Sequence, residues 1–211
     1  MKPREIRNQL LGEHVVKALE SRNMEAYYVH TKEEALKKAL ELIPEGSSVG
    51  WGGSASVEEI GLKNAVRTGN YTVLDREKAA TPEENTRITH EVLSCDYFLT
   101  SSNAVSEDGI LVNIDGSANR LAAICYGPKY VVMVVGINKI VKSEADALSR
   151  ARNEAAPVNA QRFGIDTPCS KTGCCYDCKS PDTICCQFLT TRYSKVKNRI
   201  KVILVGEELG F

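Results

Sequence analysis

Two spacings of apolar residues alternate along the first two thirds of the chain, one typical of helices and one of strands. Near the start, Ile6, Leu10, Val15 and Leu19 are spaced to form a single apolar stripe on a helix. The alternation predicts an α/β fold in which helices cover both faces of a sheet. The predicted helices are 3–21, 31–43, 56–69, 82–93, 119–126 and 143–155, and the predicted strands are 26–29, 48–51, 71–74, 97–100, 130–135, 188–191 and 201–205.

The alternation is interrupted twice. Between Ser101 and Gly116, a turn signal at Gly109 is followed by an apolar run over 110–114, which predicts an inserted hairpin. From 167 to 187 the sequence is rich in Cys, Gly, Lys, Asp and Pro and has no usable periodicity. We therefore expect one domain over 1–211, in which 167–187 is an embedded cysteine-rich segment held by something other than an apolar core.

The balanced charge of the chain narrows the classes of partner. The 27 basic and 27 acidic side chains cancel, so no net field attracts the protein to nucleic acid or to an anionic membrane. No apolar stretch approaches the roughly 20 residues that a bilayer span needs, and the first residues lack the apolar core of a secretory signal. We expect a cytoplasmic protein whose partners are small molecules or other proteins, and the sequence leaves its oligomeric state open.

The cysteines carry the strongest chemical signal. Six of the eight lie between Cys169 and Cys186, and in a reducing compartment such clustering favours metal binding or redox chemistry over structural disulfides. The C-x-x-C pair Cys175 and Cys178 can place two thiolates on one ion, and cysteines on either side can complete a four-sulfur shell. Such a shell suits tetrahedral zinc or an iron–sulfur cluster, and free or disulfide-linked thiols are the remaining alternative.

A glycine-rich turn at a predicted strand-to-helix junction is the second candidate site. Glycines let a ligand approach backbone amides closely, and the free N–H groups of a following helix favour a phosphate or carboxylate. The turn matches neither the P-loop nor the dinucleotide-binding fingerprint, and a glycine turn with a serine cap is an equally good interpretation. The candidate ligand-binding residues of this turn are Gly50, Gly52, Gly53 and Ser54.

A polar segment after the predicted hairpin supplies the third group of candidates. Asp115, Asn119 and Arg120 follow a strand, where ligands of open α/β sheets bind, although Asp115 and Arg120 could pair for purely structural reasons. Glu58 lies one turn into the helix after the glycine turn and is a candidate nucleophile or base. A helix-start carboxylate stabilised by the helix dipole is the simpler interpretation of Glu58. The catalytic candidates are Glu58, Asp115 and Arg120.

The order of these motifs carries a resemblance over nearly the whole chain. The residues concerned are Gly50-Trp51-Gly52-Gly53-Ser54 with Glu58 and Gly61, Asp115-Gly116 with Asn119-Arg120, Gly127-Pro128-Lys129, and Asn138-Lys139-Ile140-Val141. Together they resemble the LUD-domain family of lactate-utilisation proteins. The tail from Thr167 to Cys185 is similar to a cysteine-bearing branch of that family.

The resemblance implies a fold, a ligand class and a ligand set for the metal. The fold is a Rossmann-like three-layer α/β/α sandwich of the NagB, ribose-phosphate isomerase and coenzyme A transferase type, with a C-terminal cysteine-rich loop. The ligand-facing edge of such sheets holds small anionic molecules such as sugar phosphates or acyl thioesters. Cys174 and Cys186 fall where the family pattern varies and could substitute for a ligand. The cysteines that align with the family pattern are Cys169, Cys175, Cys178 and Cys185.

Three functions follow as expectations. The first is an accessory subunit or binding protein in lactate-type organic-acid oxidation, with an iron–sulfur cluster or, alternatively, zinc on the cysteines and iron–sulfur oxidoreductase subunits as partners. The second is an independent enzyme or binder for a sugar phosphate, an acyl-coenzyme A or a 2-hydroxy acid. The third is a metal-stapled regulatory or scaffold protein. The cysteine cluster does not itself carry a lactate role, because lactate-utilisation protein C need not contain it.

Overall fold

Residues 2–211 are described in the computed structural model, and their strands form two sheets. In chain order the strands are β1 (Glu25–Val29), β2 (Ser48–Trp51), β3 (Thr72–Leu74), β4 (Tyr97–Thr100), β5 (Ala104–Ser106), β6 (Leu111–Asp115), β7 (Tyr130–Gly136), β8 (Ile140–Val141), β9 (Gln187–Thr191) and β10 (Ile200–Val205). The six-stranded sheet is parallel throughout, in the order β1-β10-β7-β4-β2-β3. The smaller sheet has the order β8-β5-β6-β9, with β6 antiparallel to both of its neighbours.

Helices cover both faces of the parallel sheet, as the alternating pattern predicted. The α-helices are α1 (Pro3–Ser21), α2 (Lys32–Leu42), α3 (Ala55–Glu59), α4 (Leu62–Thr68), α5 (Pro82–Glu91), α6 (Asn119–Cys125), α7 (Glu144–Arg150), α8 (Ala156–Phe163) and α9 (Pro168–Thr172). None of those found in residues 2–211 has both the length and the apolar character that crossing a membrane requires.

The central strand β7 shows how the two faces are built. Successive side chains of a strand point to opposite faces, and Val131 and Met133 pack in the core cluster that contains Val15 of α1. Val132 and Val134 pack in a second cluster, together with residues of α2 and α4. Because all four β7 side chains are fully buried, the strand is a continuous apolar run, which is typical of a parallel sheet with both faces covered.

The helix predicted over 56–69 is two short helices. Gly61 between them has a φ of 76°, a left-handed conformation that breaks α3 from α4. The cap of α3 is Ser54, whose Oγ accepts a hydrogen bond from the backbone N–H of Val57 at 3.3 Å. Ser56, which has capping-box spacing in the sequence, is instead fully buried and its hydroxyl donates to the carbonyl of Leu209.

The helix predicted over 143–155 continues beyond its expected end. One π-helical turn at Ala151–Ala155 joins α7 to α8, and Gly164 ends α8 in the left-handed conformation. The extra length brings Arg162 to the same edge of the sheet as the glycine turn. The cysteine-rich segment follows directly, between α8 and β9.

The predicted hairpin is present as β5 and β6, and it belongs to the smaller sheet. β9 pairs with β6, whereas β10 lies between β1 and β7 in the parallel sheet, so the two closing strands belong to different sheets. Ala147 of α7 and the neighbouring Ala151 pack on the apolar face of β5 and β6. The pairing of β9 with β6 brings the cysteine-rich segment next to Asp115 at the end of β6.

Candidate functional site

A cavity of about 220 Å³ opens at the carboxyl ends of three neighbouring parallel strands. Gly53 comes from the turn after β2, Ser101 directly follows β4, and Lys139 lies in the short 3₁₀ turn after β7. Open α/β sheets bind ligands at this edge. The cavity therefore lies where the topology places the loops of β2, β4 and β7 together.

The side chains that line this cavity carry an excess of positive charge. Arg76, Arg120, Lys139 and Arg162 contribute cations, and Asp115 contributes a carboxylate. Asp115 Oδ2 lies 3.4 Å from Arg120 Nε, so these two charges compensate each other. Within residues 2–211, the other three cations form no ion pair with a carboxylate. An anion bound in the cavity would provide the missing counter-charge.

The Arg120 guanidinium is buried and is fully engaged by the protein. Its Nε faces Asp115, and each of its two terminal nitrogens makes two hydrogen bonds. A guanidinium has five N–H donors, so none is left over for a ligand. Arg120 fastens the loop after β4 to the strand β6, and its ion pair with Asp115 is the structural pairing that the sequence left open. Its four other acceptors are Asn113 Oδ1 (2.7 Å), Asn103 Oδ1 (3.0 Å) and the carbonyls of Ile114 (2.6 Å) and Ser101 (3.4 Å).

Lys139 is 3% exposed, and it lines the cavity without a carboxylate partner. Its Nζ donates to Ser56 Oγ at 3.0 Å and to Ser101 Oγ at 3.2 Å. Burial, together with the nearby charges of Arg150 and Arg120, lowers the pKa of Lys139 to about 7, against a smaller opposing effect of Glu59. Close to neutral pH, a large fraction of this side chain is therefore an uncharged amine.

The glycine turn contributes two of its four candidates to the cavity. Gly53 and Ser54 line it, whereas Gly50 and Gly52 lie behind it. A Cβ at Gly50 would lie 2.6 Å from a methyl group of Val92, and one at Gly52 would lie 3.2 Å from the Arg120 side chain. These two glycines therefore permit close packing of β2 against its neighbours.

Of the remaining candidate residues, two line the cavity and one lies outside it. Asn119 and Asp115 line the cavity, at the start of α6 and at the end of β6. Glu58 is outside it, and its carboxylate lies 3.0 Å from the ammonium group of Lys63. The position of Glu58 favours the interpretation as a helix-start carboxylate in a structural ion pair.

Sequence reasoning did not name Arg76, Ser101, Lys139 or Arg162 as site residues, although Lys139 lies in one of the motifs that carry the family resemblance. Ser101 and Lys139 follow buried strands, and the rule that pointed to Asp115 would have found them. Arg76 and Arg162 come from a 3₁₀ turn and from the far end of α8. No local pattern marks these two positions, because only the tertiary fold brings them to the cavity.

A second, smaller cavity of about 40 Å³ lies in the cysteine-rich segment. The four cysteines selected by the family resemblance all line it, namely Cys169, Cys175, Cys178 and Cys185. Cys174 and Cys186 are exposed and lie outside its lining. Its other walls combine apolar and aromatic side chains with polar ones, namely Ala156, Tyr176, Ile184 and Phe188 with Arg152, Thr167, Asp177 and Thr183.

Four thiols line this cavity, those of Cys169, Cys175, Cys178 and Cys185. Within residues 2–211, no group of three His, Cys, Asp or Glu side chains is arranged to hold a metal. Burial and, to a smaller extent, the neighbouring thiols, led by Cys175, together raise the pKa of Cys185 to about 11. Each cysteine side chain turns about a single χ1 bond, so its sulfur can occupy more than one position on the same backbone.

The two cavities share a wall. Ile184 lines both of them, and a Cβ at Gly116 of the larger cavity would lie 3.3 Å from the Ile184 Cα atom. The backbone N–H of Cys186 donates to the carbonyl of Asp115 at 3.0 Å. The cysteine cluster is thus fastened to the strand that carries part of the cation-lined cavity.

A family model and one solved structure agree with this architecture. The family model described as LUD domain matches residues 12–205. A crystal structure of a DUF162 family protein from Deinococcus radiodurans superimposes with a TM-score of 0.56 at 16% identity, covering 94% of this chain and 98% of that one. The eIF2B beta structure from Chaetomium thermophilum matches with a TM-score of 0.39 at 17% identity, over 55% of this chain and 44% of that one. No match was found among curated proteins.

Proposed function

The chain belongs to the LUD domain family, and we propose that it binds a small organic acid beside a metal centre held by four cysteines. The family is associated with lactate utilisation. In this proposal the protein is an accessory subunit or binding protein of a lactate-type oxidation. The cation-lined cavity takes the acid, and the cysteine cavity takes the metal.

The unpaired charge of the larger cavity is the observation that carries the proposal. Arg76 and Arg162, together with the protonated fraction of Lys139, converge on one volume without a carboxylate partner in residues 2–211. Bringing like charges together in a partly buried site costs free energy, which a bound anion offsets. A volume of about 220 Å³ lies below the usual range for drug-sized ligands. Size therefore favours a small acid over an acyl-coenzyme A.

The donor set of the smaller cavity fits a metal centre. Four cysteines around one cavity match the four-sulfur shell of structural zinc or of an iron–sulfur cluster. Cys169, Cys175, Cys178 and Cys185 would hold the metal. An iron–sulfur cluster would supply one-electron chemistry, whereas zinc would only fasten the segment. The small volume of about 40 Å³ suits a single ion, and four iron atoms would need the segment to open.

The surface position of the cysteine segment supports an accessory role. From Lys171 to Phe188 the side chains are exposed or half-buried, and Tyr176 is 63% exposed. A metal centre in this segment lies within reach of a docked oxidoreductase subunit, while Ile184 forms a wall that it shares with the acid cavity. This arrangement suits a subunit that presents a bound acid and a metal centre to a partner.

Calorimetric titration tests the acid-binding half. We expect lactate, pyruvate or inorganic phosphate to bind, and coenzyme A to give no heat of binding. The double variant Arg76→Gln/Arg162→Gln should lose this binding, and Lys142→Gln, which removes an exposed cation elsewhere, should keep it. If none of the three anions binds to the unmodified protein, the proposal fails.

Metal and acid-labile sulfide analysis of protein purified without oxygen tests the other half. Iron and sulfide in equal amounts, with visible absorbance that dithionite bleaches, would support the electron-transfer role. One zinc per chain without sulfide would support a metal centre and overturn electron transfer. Protein without either metal would overturn the metal centre.

A further inference from the structure

The hydrogen bonds around Lys139 constrain the state of its amine. Ser56 Oγ donates its hydrogen to the carbonyl of Leu209, and Ser101 Oγ donates its hydrogen to the carbonyl of Ser102, both at 3.3 Å. Each hydroxyl has a single hydrogen. Both hydroxyl oxygens therefore face Lys139 Nζ as acceptors, and the nitrogen must donate to both.

A neutral amine has two N–H donors, and this is the number of hydrogen bonds that Lys139 Nζ donates. An ammonium has three, and the hydrogen bonds of Lys139 Nζ account for two of them, those to Ser56 and Ser101. The charged groups that act on this nitrogen are Arg120, Arg150 and, more weakly, Glu59, so the surrounding charge is mostly of the same sign. With both hydrogens engaged, the electron pair of a neutral Lys139 is left for a molecule in the cavity that this residue lines.

We propose that Lys139 is an amine nucleophile that forms a Schiff base with a small anionic carbonyl compound in this cavity. The proposal rests on the anion cavity of the proposed function and adds a reaction to it. Arg76 and Arg162 would hold a carboxylate or phosphate group, and the carbonyl carbon would face Lys139 Nζ. A desolvated lysine next to other cationic groups is one way in which proteins obtain a nucleophilic amine near neutral pH.

The reaction balances without any oxidant or reductant. The electron pair of Lys139 Nζ forms the C–N bond, and the π pair of the carbonyl moves to oxygen. Both amine hydrogens then leave with that oxygen as one molecule of water, and a C=N bond remains. Ser56 and Ser101, which accept the two hydrogens in the resting state, are placed to relay them.

Reductive trapping tests the proposal. The complete protein is treated with borohydride in the presence of pyruvate, of dihydroxyacetone phosphate, or of uncharged hydroxyacetone. We expect near-stoichiometric labelling of Lys139 with one of the two anions and at least ten-fold less with hydroxyacetone. Peptide mapping after digestion with a protease that does not cut at lysine locates the label. Pyruvate or dihydroxyacetone phosphate as the better probe identifies the anionic group as a carboxylate or a phosphate.

Two variants complete the test. Lys139→Met should abolish the label on this peptide, whereas Lys142→Met, three residues along the chain, should leave it unchanged. If the unmodified protein gives no label at Lys139 although calorimetry shows that the anion binds, the Schiff base is wrong and the proposed function stands. If neither anion labels Lys139 and calorimetry shows no binding of lactate, pyruvate or inorganic phosphate, both are wrong. Because these two outcomes come from the unmodified protein, the result does not depend on whether Lys139→Met folds.

Discussion

The two cavities share the side chain of Ile184 but are held in place by different forces. In the cation-lined cavity, Lys139 is 3% exposed and the Arg120 side chain is 11% exposed, and both donate hydrogen bonds to Ser101 in the loop after β4. In the cysteine cavity, by contrast, no residue from Lys171 to Phe188 is buried. Its backbone is fastened by a few surface contacts, such as Asp166 N–H to Asp182 Oδ2 at 3.0 Å and Ser180 Oγ to the carbonyl of Asp166 at 2.9 Å.

The difference indicates that the fold forms the cation-lined cavity by itself, and we expect the shape of the cysteine cavity to depend on a cross-link such as the proposed metal. Buried apolar area supplies most of the stability of a domain, and the cysteine segment contributes little of it. The cation-lined cavity should therefore keep its shape when the cysteines are removed. The cysteine segment should loosen under the same change.

The largest expected effect is that of the double substitution Cys175→Ser/Cys178→Ser. Four-thiolate metal sites supply about 10–16 kcal/mol of apparent binding free energy in small zinc domains, and losing half of the sulfurs should reduce the metal content to near zero. Elemental analysis measures the metal. Limited proteolysis should then cut within 167–187, while calorimetry should show an unchanged affinity for the anion.

A matched control separates the ligands from their neighbours. Cys174→Ser/Cys186→Ser removes the two exposed thiols outside the cavity and should leave the metal content unchanged. Equal metal loss in both double variants would show that the four-cysteine assignment is wrong. Loss of anion binding in Cys175→Ser/Cys178→Ser would show that the two cavities are not independently held.

Much of the fold was predictable from the sequence, because apolar spacing reports burial directly. β2 and β4 have the predicted bounds, as does α1, since each pairs a clear spacing with a turn or cap signal. The wrong predictions were at Gly61, where one glycine divides a helix, and at Ala151–Ala155, where a π turn extends one. Both depend on backbone conformation, to which apolar spacing is insensitive.

The sequence marked candidate site residues where they are neighbours in the chain or where, like Asp115, they directly follow a predicted strand. Cys175 and Cys178 are close along the chain, and their spacing by itself indicates a common site. The cation cavity gathers Arg76, Lys139 and Arg162 from distant segments, and their convergence follows from strand order. Arg120 was predicted as a ligand group, but its partners are loop carbonyls and amides, which no sequence pattern reveals.

The second largest effect is expected from Arg120→Met, a change in the cation-lined cavity, whose shape the fold itself maintains. The change leaves Asp115 without its cation and removes hydrogen bonds to two side-chain amides and two carbonyls. Breaking one partner of a buried ion pair costs about 3–5 kcal/mol. We expect a loss of this order in the free energy of unfolding, measured by denaturant titration.

An exposed arginine provides the comparison for Arg120. Arg87 forms surface ion pairs with Glu84 and Glu91, and Arg87→Met should cost less than about 1 kcal/mol. A similar small loss for Arg120→Met would mean that the Arg120 network does not hold the cavity together.

A third effect is a pH dependence that Lys139 contributes to stability. Its pKa is about 7 in the folded protein and 10.5 as an ordinary lysine, so between these values the unfolded chain binds a proton that the folded chain does not. Stability from this group therefore rises with pH across the window, and the full penalty is present below pH 7. The free energy of unfolding of the unmodified protein minus that of Lys139→Met should increase from pH 6 to pH 9. A flat difference would show that Lys139 is not desolvated beside Arg120 and Arg150.

The smallest expected effect is a change in anion affinity when one arginine at the edge of each cavity is replaced. Arg162 lies at the exposed rim of the cation cavity, and Arg152, which pairs with Asp177, lines the cysteine cavity. An exposed charge contributes up to about 1 kcal/mol to an ionic contact, so Arg162→Gln should weaken anion binding by roughly five-fold. Arg152→Gln should leave it unchanged, because its charge faces the other side of Ile184. Calorimetric titration of both variants with the same anion measures the difference, and equal weakening would mean that the anion is attracted by the general charge of this edge rather than held in the cavity.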